Sequence, residues 1–264
     1  MLLTEDAPAR TQRIDPAFRR DILEGLGHEP KSTPPIWFYD RRGSELFEQI
    51  TDLPEYYPTR TETALLKAHG PDVARAAGAG RAVVEFGAGS SRKTPYLLRA
   101  IDPAAYVPID ISGDFLRDSS AELARAFPQL PVLPVVGDFN QPLDLPKEIS
   151  SMPRLGFFPG STIGNMEPGA AVDLLRAMRR LLGEDAMLLI GMDRIKDRDR
   201  LIAAYDDAQG VTAAFNLNLI ERINRELDGD MPSWLYRPPH VDYTLSEPFA
   251  VVGAGPGPTS LITN

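Results

Sequence analysis

Four clusters of polar and small residues each follow an apolar run. Val83-Val84-Glu85-Phe86 leads into Gly87-Ala88-Gly89-Ser90-Ser91-Arg92-Lys93-Thr94. Ala105-Tyr106-Val107-Pro108-Ile109 ends in Asp110, and Val132 to Gly137 ends in Asp138-Phe139. The fourth cluster, Gly160-Ser161-Thr162-Ile163-Gly164-Asn165, follows the run at 154–158. A Gly-x-Gly turn after a strand lets the backbone approach a nucleotide-like ligand, because no Cβ stands in the way. A carboxylate at the next strand end accepts two hydrogen bonds from ribose hydroxyls. At the third strand end, Asp138 suits an adenine amino group and Phe139 offers the ring a face or an edge. Together these point to S-adenosylmethionine and a methyl transfer. A dinucleotide fingerprint would need a third glycine where Arg92 stands, and Lys93-Thr94 lacks the Gly-x-x-x-x-Gly of a P-loop.

Each element also has a plainer reading. Gly-x-Gly is often only a turn, Asp110 also reads as a helix N-cap, and Asp138-Phe139 is a common pair. Ser161 and Thr162 read equally as holders of an acceptor and as caps of the helix that follows. Asn165 is read as holding the acceptor, because Pro168 already suits that helix's first turn.

The elements that must position these residues follow from periodicity. Strands are expected at 82–86, 105–109, 132–136, 154–158 and 186–192, with helices at 92–101, 113–126 and 168–182 between them. Such alternation predicts an α/β fold with a doubly wound parallel sheet. Before it, residues 15–28 read as a helix capped by Asp15-Pro16, and residues 45–50 as a short one. Residues 55–60 read as irregular, and helical spacing resumes over 62–69. Asp199 to Glu226 reads as one or two further helices. Residues 228–264 are rich in proline and glycine, and the last ten to fifteen are expected to lack order.

Bulk composition narrows the function. The 264 residues hold 28 Lys+Arg against 37 Asp+Glu, for a net charge of −9. That balance disfavours a nucleic-acid partner. With no cysteine, disulfides and thiolate chemistry are excluded, and the three histidines share no metal-like spacing. No metal is therefore expected. No run approaches the roughly 18 apolar residues of a membrane helix, and the first residues lack a secretory pattern. A cytoplasmic protein with a small-molecule substrate and no obligate protein partner is expected.

Several longer segments carry a resemblance: Tyr39-Asp40-Arg41-Arg42-Gly43-Ser44-Glu45-Leu46-Phe47, Leu53-Pro54-Glu55-Tyr56-Tyr57-Pro58-Thr59-Arg60-Thr61-Glu62, the Glu85–Thr94 and Gly160–Asn165 clusters, Ala203 to Asp207, and Thr212-Ala213-Ala214-Phe215-Asn216. With these, the chain resembles the histidine-specific methyltransferase family, which makes trimethylhistidine (hercynine) for ergothioneine biosynthesis. The likeness runs from about residue 15 to about 227. It implies a Rossmann-like class I methyltransferase sheet with an N-terminal helical segment and a partial second domain. The division expected is 1–70, 71–195 for the S-adenosylmethionine-binding part, and 196–264. It also implies that Gly87, Lys93, Asp110, Asp138 and Phe139 bind S-adenosylmethionine. Tyr56, Asn165 and Tyr205 would bind the amino acid, with Tyr39 and Phe47 lining the site. Family members continue into a portion whose Glu and Ser recognise the imidazole. Residues 228–264 offer no match to it, so the chain reads as truncated, and no imidazole-recognising residue is nominated.

Overall fold

The computed structural model describes residues 14–29, 31–166 and 168–232. Its strands are β1 (Ala82–Phe86), β2 (Ala105–Asp110), β3 (Val135–Val136), β4 (Arg154–Phe158) and β5 (Met187–Ile190). They form one parallel sheet in the order β3-β2-β1-β4-β5. All five residues of the central β1 are buried, as a parallel strand covered on both faces requires. Side chains alternate across it. Ala82, Val84 and Phe86 meet Leu174, Met178 and Leu182 of α6 (Pro168–Leu182). Val83 joins the opposite core with α3 (Tyr57–Ala77), α4 (Thr94–Ile101) and α5 (Gly113–Ala126), through Leu66, Leu97, Leu98 and Leu123. This is the doubly wound α/β arrangement expected from the alternation.

Three expectations need correction. The third strand is only Val135–Val136; Val132 makes an isolated bridge to Tyr106. Pro131 and Pro134 interrupt that stretch, and proline has no N–H for a ladder. The short helix expected at 45–50 is longer: α2 spans Arg41–Asp52, started by the Asp40 carboxylate accepting the Gly43 N–H at 2.8 Å. Residues 57–60 are not irregular but open α3, with Pro58 in the first turn, where its missing N–H is no loss. α3 then runs through Gly70-Pro71, past the division expected at residue 70. At Gly70 it lies so close to α4 that a Cβ would stand 2.8 Å from that of Ala100.

The remaining helices are α1 (Pro16–Gly27), α7 (Arg198–Tyr205) and α8 (Val211–Leu227). The two ends of the described chain pack on each other. Phe18, Ile22 and Trp37 share a core with Leu219 and Ile223; Ile50, Leu53, Tyr56 and Tyr57 share another with Leu201 and Ala204. At roughly 1.5–3 kcal/mol for each large apolar side chain removed from water, these contacts are a substantial tie. A second tie is polar. Asp40 also accepts from Asn218 Nδ2 at 2.8 Å and from Arg225 at 2.9 Å. The proline- and glycine-rich stretch from residue 233 onward lies outside the described residues. No helix among the described residues is long and apolar enough to cross a membrane.

Candidate active site

The polar clusters follow the carboxyl ends of β1, β2, β3 and β4. Gly87 and Gly89 take φ of +71° and +51°, in the left-handed region that favours glycine. Gly87 and Ala88 donate their N–H groups to the Ile109 carbonyl at 2.9 and 3.1 Å. Gly89 donates to Asp110 Oδ2 and Ser112 to Asp110 Oδ1, each at 2.9 Å. The loop is therefore held by backbone groups against the end of β2. A carboxylate has about four acceptor positions, so Asp110 keeps acceptor capacity for an incoming ligand. Burial raises the Asp110 pKa above the ordinary range, against the N–H groups of Ser112, Gly89 and Ile111. Phe139 faces the same turn, its ring edge 3.7 Å from where a Cβ on Gly87 would stand. It packs edge-on against Phe86 and Phe158. Asp138 Oδ1 accepts both Asn140 N–H and Asn140 Nδ2, leaving Oδ2 unengaged among the described residues.

Beneath the loop lies a residue that the sequence reading passed over. Glu85 is 2 % exposed, inside the apolar β1. Its Oε2 accepts from Tyr106 Oη at 2.6 Å and from Thr94 Oγ1 at 2.7 Å, and Ser91 Oγ lies 3.1 Å from the same phenol. Burial pushes the Glu85 carboxyl up to about 7, opposed by the two hydroxyls and by Lys93. An acid within an apolar strand was the available signal.

The aromatic residues converge from separate segments. Tyr39 stands 5.5 Å from Phe47 and 5.4 Å from Phe215, ring centre to ring centre; Phe47 stands 6.3 Å from Tyr56, and Tyr56 5.9 Å from Tyr205. Phe215 is thus a member of the cluster that was not nominated, although its segment was among those carrying the resemblance. The Tyr39 phenol is pushed up to about 12 by burial first, then by Asp110 and Tyr205. Tyr56 is raised by burial and by the neighbouring phenols and Glu62. Both are neutral hydrogen-bonding groups at physiological pH. Arg60 donates to the carbonyls of Leu53, Pro54 and Tyr56, fixing the turn that presents Tyr56.

At the end of β4, Gly160 and Ser161 both take positive φ, and Thr162–Asn165 form a 3-10 turn. Ser161 Oγ accepts the Asp193 N–H at 2.9 Å, a third role beside the two the sequence suggested. Asn165 is exposed, and its side chain makes no hydrogen bond among the described residues. Lys93 donates to Glu62. A cleft of about 610 Å³ lies between Trp37, Tyr39 and Asp40 on one side and Ser112, Gly113, Gly137 and Asp138 on the other. That is within the size range of small-molecule sites. Of the residues nominated from the sequence, Tyr39 and Asp138 line it; Gly87, Lys93, Asp110, Phe139, Phe47, Tyr56, Asn165 and Tyr205 do not.

The pattern of the histidine-specific, S-adenosylmethionine-dependent methyltransferases matches residues 18–238. The chain belongs to that family. It is 44% identical to a histidine N-alpha-methyltransferase of Mycolicibacterium smegmatis over 81% of this chain and 67% of the relative. An ergothioneine biosynthesis protein 1 of Neurospora crassa is 32% identical over 74% of the chain and 23% of its own length. A 4-dimethylallyltryptophan N-methyltransferase of Claviceps purpurea is 28% identical over 92% of the chain and 76% of its own length. The residues at the strand ends suit the family's cofactor. Gly87 and Gly89 leave the turn open to a close backbone approach, Asp110 retains acceptor capacity, and Phe139 lies against the turn.

Proposed function

We propose that this protein methylates the α-amino group of free L-histidine, giving trimethylhistidine. The observation that carries the reading is the 44% identity to a histidine N-alpha-methyltransferase. The aromatic cluster beside Asp110 supports it. In this reading Gly87, Lys93, Asp110, Asp138 and Phe139 hold S-adenosylmethionine, and the strand ends of residues 71–195 form that half of the site. The cofactor, when bound, supplies a methyl group on a positively charged sulfur.

The protein's task is then alignment. Asn165 accepts a hydrogen bond from the amine through its amide oxygen and turns the lone pair toward the methyl group. Tyr56 and Tyr205 hold the amino-acid carboxylate. Fixing two reactants in line is worth on the order of 7–11 kcal/mol. Tyr39 and Tyr56 have raised pKa values, so they are poor bases at neutral pH. Neither phenol therefore takes the amine proton, which must leave to water or to another nearby group before each transfer. Tyr39, Phe47 and Phe215 offer ring faces to an ammonium that grows with each transfer, an attraction worth about 0.5–2 kcal/mol per contact.

The test is methyl transfer from labelled S-adenosylmethionine to a panel of free amino acids, read by mass spectrometry with cofactor binding measured in parallel. Mono-, di- and trimethylated histidine are expected. Cofactor binding without transfer to histidine overturns the substrate assignment. A second acceptor class, a tryptophan derivative, is favoured by the relative acting on 4-dimethylallyltryptophan, and the same panel includes it.

A further inference from the structure

Glu62 sits where three segments meet. Its carboxylate receives Lys93 from the loop after β1. Both its oxygens lie 3.0 Å from the N–H of Gly160, at the start of the loop after β4. A Cβ on Gly191, just past β5, would stand 2.0 Å from Glu62 Oε1. The ion pair is largely shielded, with the side chains of Lys93 and Glu62 19% and 16% exposed. Such a pair holds its geometry better than a surface one. The Gly160 bond anchors a backbone that is itself unusual, since Gly160 and Ser161 carry φ of +85° and +59° in succession. A left-handed non-glycine residue costs about 1–3 kcal/mol and persists only where its surroundings impose it.

We propose that Glu62 is a positioning residue that couples the cofactor loop to the acceptor loop. One carboxylate sets the Lys93 ammonium beside the glycine turn and pins the turn that presents Asn165. Cofactor and amine are thereby placed relative to each other through a single side chain of α3. The proposal rests on the reading that Lys93 serves the cofactor and Asn165 the amine. Glu62 touches neither ligand.

The test is Glu62→Gln. Its amide oxygen still accepts the Gly160 N–H, while the charge facing Lys93 is gone. S-adenosylmethionine affinity is measured by calorimetry, and histidine affinity with S-adenosylhomocysteine present and absent. For a hydrogen bond to a charged group, the variant is expected to weaken S-adenosylmethionine about tenfold. It is also expected to reduce the enhancement of histidine binding by cofactor. Adding Lys93→Met to Glu62→Gln should weaken the cofactor no further than Lys93→Met alone. A folded Glu62→Gln protein with both affinities within twofold of wild type overturns the proposal. So does a lowered melting temperature with both affinities unchanged, which is what a merely structural role predicts. If the wild type binds cofactor but takes no histidine, the substrate reading fails. The Lys93 arm then decides for Glu62 on cofactor affinity alone.

Discussion

The two halves of the proposed site are built differently. The cofactor half is made of backbone at adjacent strand ends: Gly87, Ala88 and Gly89 bond to the end of β2, and the Glu85 network lies underneath. The acceptor half is made of side chains from α2, α7, α8 and the turns before α2 and α3, touching ring to ring. A half that depends on backbone is fixed by the sheet. A half that depends on side chains is only as well placed as the helices that carry them.

The pH dependence of stability separates the halves most strongly. Glu85 is pushed up to about 7, from an ordinary 4.5. Between those values the unfolded chain has released a proton that the folded chain keeps, so stability falls as pH rises. The fall expected is about 3 kcal/mol, and Glu85→Gln should remove it. Denaturant melts from pH 4.5 to 7.5 check this; an equal slope in both proteins rejects it. The Tyr39 and Tyr56 phenols of the acceptor half add nothing in that range, because burial raises both. Asp110→Ala is next. Losing the carboxylate proposed to take the ribose, which also holds Gly89, should weaken S-adenosylmethionine about 100-fold, read by calorimetry. Unchanged binding refutes the ribose assignment.

Asn165→Ala should slow amine methylation on the order of 100-fold while cofactor affinity stays within twofold. Loss of both together would blur the division between the halves. Phe215→Ala is expected to raise the amine KM about tenfold without touching cofactor binding, through lost ring contact. Arg60→Ala frees the turn before Tyr56 and should have the smallest effect. A KM increase of about fivefold is expected, because Arg60 acts on the turn and not on the ligand, with steady-state kinetics as the measure.

The same difference explains what could be seen in advance. The strand ends were legible because each motif is contiguous: a glycine turn or an acid placed directly after an apolar run. α5 and α6 were legible because their apolar faces repeat cleanly. The acceptor half has no local signature. Tyr39, Phe47, Tyr56 and Tyr205 look like ordinary core aromatics, and only the family resemblance selected them. Phe215 and Glu62 stood inside segments carrying that resemblance and were still passed over. Their significance is a meeting in space, between Phe215 and Tyr39 or between Glu62 and Gly160. The third strand was overestimated because Val132 to Val136 satisfies strand propensity, whereas pairing needs the N–H groups that Pro131 and Pro134 lack. The opening of α3 was missed because a Tyr-Tyr-Pro turn looks like a break until Pro58 is seen at a helix start.

The bonds from Asp40 to Asn218 and Arg225 span 178 and 185 residues. Contacts so distant along the chain are entropically dear to close and tend to form late. During synthesis, β1 to β5 emerge from the ribosome before α8 exists. The ring cluster gains its Phe215 wall only once α8 has folded back onto α2. On the proposed assignment of that cluster to the amine, the acceptor side is completed late in folding, and loosening α8 should open it before the strand ends are disturbed.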